Sequence, residues 1–247
     1  MAYSDVLLPG DEVPQEQLPS NPKKALSIGP GLRHIPPSTI SATSVGALNV
    51  DWRRNAAWMD VNGGRYLPST NDPIIVRVTG SSGEAFNCQI TPYTSYAALP
   101  HLSFQDATKK TRPQLANGAL VYARIATPAA HLLHIDPELT CIDPSTGKSE
   151  GLGPLKGGML FKISLGMARR LLMTSKRAKE DAKIIILDRL GEKWGFEVAV
   201  GRNGYLWVDA NDIQRTMAVG RAITEVDEQG LVVQEQEALA QKVLKQG

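Results

Sequence analysis

A few short stretches of this chain hold side chains whose type and spacing could do chemistry. Lys109-Lys110-Thr111-Arg112-Pro113 places three cations within four residues, a density that can neutralise successive phosphates of a nucleic acid backbone. The competing reading is an ordinary solvated charge cluster. Asp143-Pro144-Ser145-Thr146-Gly147-Lys148-Ser149 ends like a phosphate-binding loop, but that pattern requires a glycine five residues before Gly147, where Ile142 stands. Gly151, Gly153 and Pro154 follow, so no helix opens there, and the stretch reads as a flexible loop. His131 and His134 are spaced as H-x-x-H with Asp136 nearby, yet a structural zinc site needs four ligands and a catalytic one three. His34 and His101 read as isolated. The acidic residues are scattered, so a two-metal nuclease centre has no residues to build it. No metal, cofactor or catalytic residue is nominated.

Gly201-Arg202-Asn203-Gly204 has the G-x-x-G form of a KH loop, which joins two helices and clamps four backbone nucleotides. Its flanks, Phe196–Val200 and Tyr205–Val208, alternate and are rich in β-branched and aromatic residues, so they read as strands. Asn-Gly between strands is a strong hairpin signal. The tetrapeptide is therefore expected to be a structural turn, with RNA contact as the weaker alternative.

The elements that must position these residues fall into three groups along the 247 residues. Residues 1–66 hold seven of the 16 prolines, all before Ser38. Proline removes a backbone donor and breaks helices, so an N-terminal β-rich domain is expected, with strands at Ser38–Val50 and Ala56–Val61, a turn at Asn62-Gly63, and a return through Arg65-Tyr66-Leu67. In residues 67–140, Ile74, Val76 and Val78 alternate with Arg77 and Thr79, and Phe86, Cys88 and Ile90 alternate with Asn87 and Gln89. Two further runs, Tyr96–Leu99 and Leu120–Ile125, suggest a small β-barrel of the OB (S1) type. On such a barrel the basic run lies in a long connecting loop, where oligonucleotides bind.

Residues 141–247 are expected to form an α+β, KH-like domain after a Gly/Ser/Pro/Asp-rich connection reaching about residue 158. It begins with a strand at Met159–Ile163 and a helix through Leu165–Leu172. A second helix over Lys183–Leu190 is closed by Gly191 in a C-cap position. After the two strands around the G-x-x-G turn, Asn211 and Gln214 resemble a capping box. A last polar helix, roughly Val232–Gln246, is expected to fray. The fold class is thus multidomain: a β-rich N-terminal segment, an OB barrel and an α+β KH-like domain.

Composition fits this layout. The apolar fraction is 42%, and 22 glycines favour many short elements. Net charge is only +2, which suggests basic patches rather than a uniformly basic coat. Cys88 and Cys141 sit far apart in strand-like apolar runs and read as buried hydrophobes in a reducing compartment. The N-terminus lacks the basic and apolar regions of a signal peptide. No run approaches 18 apolar residues, so no membrane partner is expected.

Several blocks then carry a resemblance. Leu102 through Pro113, Glu138–Asp143, Gly158–Leu165, Gly201-Arg202-Asn203-Gly204 with Leu206-Trp207-Val208, Leu7–Asp11 and Gly29–Arg33 resemble, in order, the S1/KH cap subunits of the eukaryotic RNA exosome in the ribosomal RNA-processing protein 40 family. The resemblance is weakest at residues 12–28, 36–60 and beyond 225. It implies a non-catalytic subunit that guides single-stranded RNA into a 3′→5′ exoribonuclease complex, in the nucleus, nucleolus and cytoplasm. Its implied partners are RNase PH-like ring subunits and other S1/KH cap subunits. By position, Lys109, Lys110 and Arg112 should lie nearest the RNA, with Arg77 a weaker candidate from its outward strand position. A free-standing RNA-binding regulator or translation factor built from the same modules is the alternative.

Overall fold

A computed structural model describes residues 6–22, 24–60, 64–128, 135–173 and 184–246. The chain divides into two compact units, residues 1–64 and 65–247.

In the first unit, β1 (Val6–Leu7), β2 (Ser27–Ile28), β5 (Gly46–Asp51) and β6 (Ala56–Asp60) form a sheet in the order β1-β5-β6-β2. A hairpin of β3 (Leu32–Ile35) and β4 (Thr39–Ala42) accompanies it. Leu7, Val13, Leu18, Ile40, Ala42, Ala57 and Met59 make the core. The single strand expected over Ser38–Val50 is two strands, β4 and β5, belonging to different pairings. Asn62-Gly63 lies outside the described residues. Residues 65–67 are not a strand, and Tyr66 instead buries its ring in the core of the second unit.

The second unit begins with a barrel. β7 (Pro73–Ser81), β8 (Ala85–Gln89), β9 (Tyr96–Pro100), β10 (Leu120–Ile125) and β11 (Leu139–Thr140) run in the order β11-β10-β7-β8-β9. A parallel bridge between Ala98 and Glu138, with Ala98 N donating to Pro137 O at 2.9 Å, links β9 back towards β11. The period-two pattern works as read: Ile74, Val76, Val78, Phe86, Cys88, Ala97, Leu99, Val121, Ala123 and Ile125 fill the interior. The barrel sheet reaches past residue 140, because β12 (Gly153–Leu155) pairs with β10. The stretch expected to be only an interdomain loop therefore contains a strand.

The remainder is an α+β module. β13 (Met159–Lys162), β14 (Phe196–Gly201) and β15 (Tyr205–Ala210) form an antiparallel sheet in the order β13-β15-β14. Helices α1 (Leu165–Leu171), α2 (Ile186–Gly191), α3 (Ile213–Gln229) and α4 (Val233–Gln246) complete it. Their apolar faces bury Met167, Ile186, Leu190, Val219, Ile223 and Leu239 together with Leu206 and Val208. Three local expectations are corrected. Gly191 is the last residue of α2 rather than its cap, and Glu192 occupies the C-cap. The N-cap of α3 is Asp212, whose side chain accepts from Gln214 N, rather than Asn211. Nor does α4 hang free: Leu239 and Ala240 are buried, Gln236 Oε1 accepts from Ile185 N at 3.0 Å, and Glu237 pairs with Arg189 at 2.7 Å.

Barrel and α+β module share a small core of their own. Ile75 faces out of the barrel, yet it is 1% exposed because Ala199 and Trp207 pack on it.

Candidate nucleic-acid interface

The basic run sits in the β9–β10 connection and is folded rather than loose. Buried Phe104 anchors its start in the barrel core. Thr108 and Thr111 then bracket a tight turn. The Thr108 hydroxyl bonds to Thr111 Oγ1 at 2.8 Å, Thr111 N donates to Thr108 O at 3.1 Å and to Thr108 Oγ1 at 3.2 Å, and the Thr111 hydroxyl donates to Asp106 O at 3.3 Å. Lys109 and Lys110 occupy the tip and are exposed. With the backbone held by two hydroxyls, both ammonium groups project from a fixed base. Arg112 behaves differently. It is half-buried, and its Nη1 donates to His101 Nδ1 at 2.8 Å.

His101 is therefore not isolated. It is 6% exposed, its Nε2 lies 3.2 Å from Ser81 Oγ, and its ring sits 4.3 Å from that of Phe86. Burial first, and the neighbouring Arg112 charge second, hold its pKa below the usual histidine range, with the Ala85 carbonyl pulling the other way. A signal for this residue exists in the sequence: Ala97, Leu99 and His101 share one parity, so the alternation that buries the first two carries His101 to the same face.

Arg77 is exposed in the middle of β7, opposite Gln89 and Leu120. It lines a cleft of about 110 Å³ with Gln89, Thr91, Leu160 and Tyr205. Ser81, at the His101 end, is four residues further along the strand, about 13 Å at normal strand rise. The candidates thus form two positions on the barrel, not one.

Gly201-Arg202-Asn203-Gly204 joins β14 to β15 and faces the barrel. Asn203, 6% exposed, accepts from Ile75 N at 3.2 Å and donates from Nδ2 to Ile75 O and Ile90 O, both at 2.8 Å. Arg202 N donates to Pro73 O at 2.7 Å, and its side chain lies 3.4 Å from Asp72. Tyr122 completes the seam, its hydroxyl donating to Val200 O at 3.2 Å. A Cβ on Gly201 would stand 2.7 Å from Ile75 N. The loop's polar groups are spent on the barrel, so it lacks the exposed helix–helix geometry of a nucleotide clamp.

The Gly147-Lys148-Ser149 stretch is equally committed. Asp143 accepts from the backbone N and the hydroxyl of Ser145, and Arg124 stands 3.5 Å away. The Ser145 bonds are the main reason that carboxyl is held below its ordinary value. Gly147 N donates to Asp143 O, Lys148 N to Thr146 Oγ1, and Ser149 N to Gln105 Oε1. A phosphate cradle needs convergent free N–H groups, and these are already used. His131 and His134 lie outside the described residues. Among the described residues no cluster of His, Cys, Asp and Glu could hold a metal ion, and no helix is long and apolar enough to cross a membrane.

Comparison with known proteins adds three family matches in chain order. Residues 26–65 match the exosome complex exonuclease Rrp40 N-terminal domain, 66–153 the S1 domain of exosome complex component RRP40, and 158–214 a KH domain. The chain is 33% identical to exosome complex component RRP40 of Saccharomyces cerevisiae over 228 residues, covering 90% of this chain and 88% of that protein. It is 33% identical to the Drosophila melanogaster protein of the same name, covering 93% and 92%. A solved structure described as a putative exosome complex RNA-binding protein has the same fold, with a TM-score of 0.54 at 18% identity, covering 74% of this chain and 97% of that one.

Proposed function

We propose a function that starts from family membership: the chain belongs to the RRP40 family of exosome complex components. It is a non-catalytic, RNA-binding cap subunit of the RNA exosome, one that helps guide RNA into the complex for processing and degradation. The observation that carries this is the match in order of N-terminal, S1 and KH domains, at one-third identity over nine-tenths of both chains.

The site's chemistry fits passage rather than turnover. Lys109 and Lys110, on their threonine-braced turn, and Arg112 behind them offer charge to the phosphates of a single strand without reading bases. Arg77 offers a second contact along the barrel. The better-buried carboxylates have structural work instead: Asp72 holds Tyr66 and Arg202, Asp143 closes its loop, and Asp227 bonds Ser164 N and Oγ at the start of α1. The KH-like module, its loop turned onto the barrel, acts as a rigid support for the S1 surface. RNase PH-like ring subunits and other S1/KH cap subunits are its partners, and nucleus, nucleolus and cytoplasm its locations.

Affinity purification of the tagged chain from native extract tests this. The expected result is stoichiometric recovery with ring and cap subunits, and no hydrolysis of RNA by the repurified chain alone. Recovery as a free monomer, or nuclease activity that stays with the chain through repurification, would overturn it.

A further inference from the structure

We propose that His101 is a positioning residue for RNA binding: it fixes the Arg112 guanidinium beside the Lys109-Lys110 turn without neutralising it, so that the arginine is presented to an RNA phosphate. The inference rests on the reading of this loop as part of the RNA path.

The hydrogen atoms of the contact can all be placed. A guanidinium only donates, so His101 Nδ1, 2.8 Å from Arg112 Nη1, carries the lone pair. The neutral ring then holds its proton on Nε2, and that N–H donates to Ser81 Oγ at 3.2 Å. The Ser81 hydroxyl donates onward to Ser82 O at 3.2 Å. Phe86, with its ring 4.3 Å away, and Phe86's own edge-on contact with Phe104 at 6.4 Å lock the imidazole between the barrel and the root of the loop.

The choice of partner matters. A carboxylate at this position would bind Arg112 more strongly and cancel its charge. A neutral imidazole fixes one N–H of the guanidinium and leaves a full positive charge with four further donors. That arrangement suits a residue whose other partner arrives from outside. The ionisable side chains on the segments around the ring are Arg112, Asp106, Lys109 and Lys110 of the loop and Glu84 of the β7–β8 turn. Among the described contacts the Arg112 side chain alone meets the ring in an ionic sense, while Glu84 accepts from His101 N through its carbonyl at 2.9 Å. Protonation of His101 would turn Nδ1 into a donor facing a donor and release Arg112. Because burial and Arg112 lower the pKa, that release is centred below the ordinary value of 6.5.

The test is binding of a single-stranded oligouridylate to the 247-residue chain as a function of salt and pH. Arg112→Ala and His101→Phe, which keeps an aromatic ring but no acceptor, should each lower the salt slope by roughly 0.7. The double variant should bind no more weakly than Arg112→Ala alone. His101→Asn, which restores an acceptor near Nδ1 and does not titrate, should bind like the wild type. The wild-type advantage over Arg112→Ala should hold at neutral pH and shrink as pH falls below 6.5, and it should persist at low pH in the His101→Asn background. If His101→Phe binds as the wild type does while Arg112→Ala is weakened, or if the Arg112 increment ignores pH, the positioning role is wrong and the loop reading stands. If Arg112→Ala itself changes nothing, the loop reading fails at this residue and the positioning role goes with it. Should His101→Phe not fold, the pH profile of wild type against Arg112→Ala, with His101→Asn beside it, decides alone.

Discussion

Asn203 reaches from the β14–β15 turn to Ile75 in the barrel and bonds both of that residue's backbone groups, accepting from its N at 3.2 Å and donating to its O at 2.8 Å. One side chain thus supplies, at the edge of β7 beyond its pairing with β8, the hydrogen bonds a further strand would make. The same amide also serves Ile90 O, so a single residue ties two barrel segments to the KH-like module.

Asn203→Ala should therefore be costly. It strands an N–H and two carbonyls among residues that are almost wholly buried, and each unsatisfied buried group costs about 1–3 kcal/mol. A loss of about 3 kcal/mol is expected, which for a unit of this size is a fall of roughly 6–12 °C in Tm. Calorimetry of the purified variant checks it. A change of less than about 1 kcal/mol would mean that water enters the seam and satisfies the three groups.

Within the same turn, Gly204→Ala and Arg202→Ala should separate. Gly204 has φ +79° and an added Cβ would stand 2.9 Å from Ile163 O. The left-handed conformation alone costs a non-glycine residue about 1–2 kcal/mol. Arg202 loses only a half-exposed ion pair with Asp72, worth about 0–1 kcal/mol, while its backbone bond to Pro73 remains. Denaturant midpoints should thus fall clearly for the glycine variant and barely for the arginine one, with RNA binding unchanged in the latter. RNA binding lost in a stably folded Arg202→Ala protein would restore the clamp reading.

Gly220 offers a case where two effects oppose. In mid-helix, alanine is better than glycine by about 1 kcal/mol. Here, however, the added Cβ would lie 2.1 Å from Cζ of the Phe161 ring, and overpacking typically costs about 1–3 kcal/mol. The clash should win, leaving Gly220→Ala less stable by about 1 kcal/mol in urea titration. Phe161→Ala should suppress that penalty in the double variant. A stabilised Gly220→Ala would show that β13 shifts freely away from α3.

Cys88 and Cys141 are free and buried, and burial pushes each thiol up to about 12. At pH 8 only about one molecule in ten thousand would carry a thiolate at either site. Both should resist labelling by a disulfide reagent in the native protein and react fully once urea unfolds it. Rapid native labelling of either thiol would contradict the closed barrel core.

What could be read from the sequence follows the range of the interactions concerned. Alternation in β7 and β8 is local, so the inward Ile74, Val76, Val78, Phe86 and Cys88 were legible. Ile75 was not, because its burial comes from Ala199 and Trp207, more than a hundred positions away. Asn203-Gly204 announced a turn, yet nothing nearby said where the asparagine amide would bond. His101 was within reach, since it continues the parity of Ala97 and Leu99. Its bond to Arg112 was not, because loop geometry decides it. Helix α4 looks polar, and the approach of α2, distant in sequence, and of α3 gives Gln236 and Leu239 something to meet.

The loop itself gives the sharpest functional test. Lys109 and Lys110 stand exposed on a turn whose backbone is held by Thr108 and Thr111, so replacing them removes charge without disturbing the brace. Arg112 adds a third cation from the loop's root. Exposed charge changes such as those at Lys109 and Lys110 usually move stability by no more than about 0.5 kcal/mol, and losing the half-buried Arg112 bond to His101 adds about 1–3 kcal/mol. Lys109→Ala/Lys110→Ala/Arg112→Ala should therefore be less stable but still fold and join its partners. If all three meet phosphates, the salt slope for single-stranded RNA should fall by about 2, at roughly 0.7 per contact. Arg77→Ala should remove about one further contact, additively, because it lies well along β7 from the loop. Titrations at several salt concentrations measure both effects in the purified chain and again in the assembled complex. A triple variant with an unchanged salt slope in both settings would exclude the loop from the RNA path. One that is weakened in the isolated chain but normal in the complex would mean that other subunits supply the dominant contacts there.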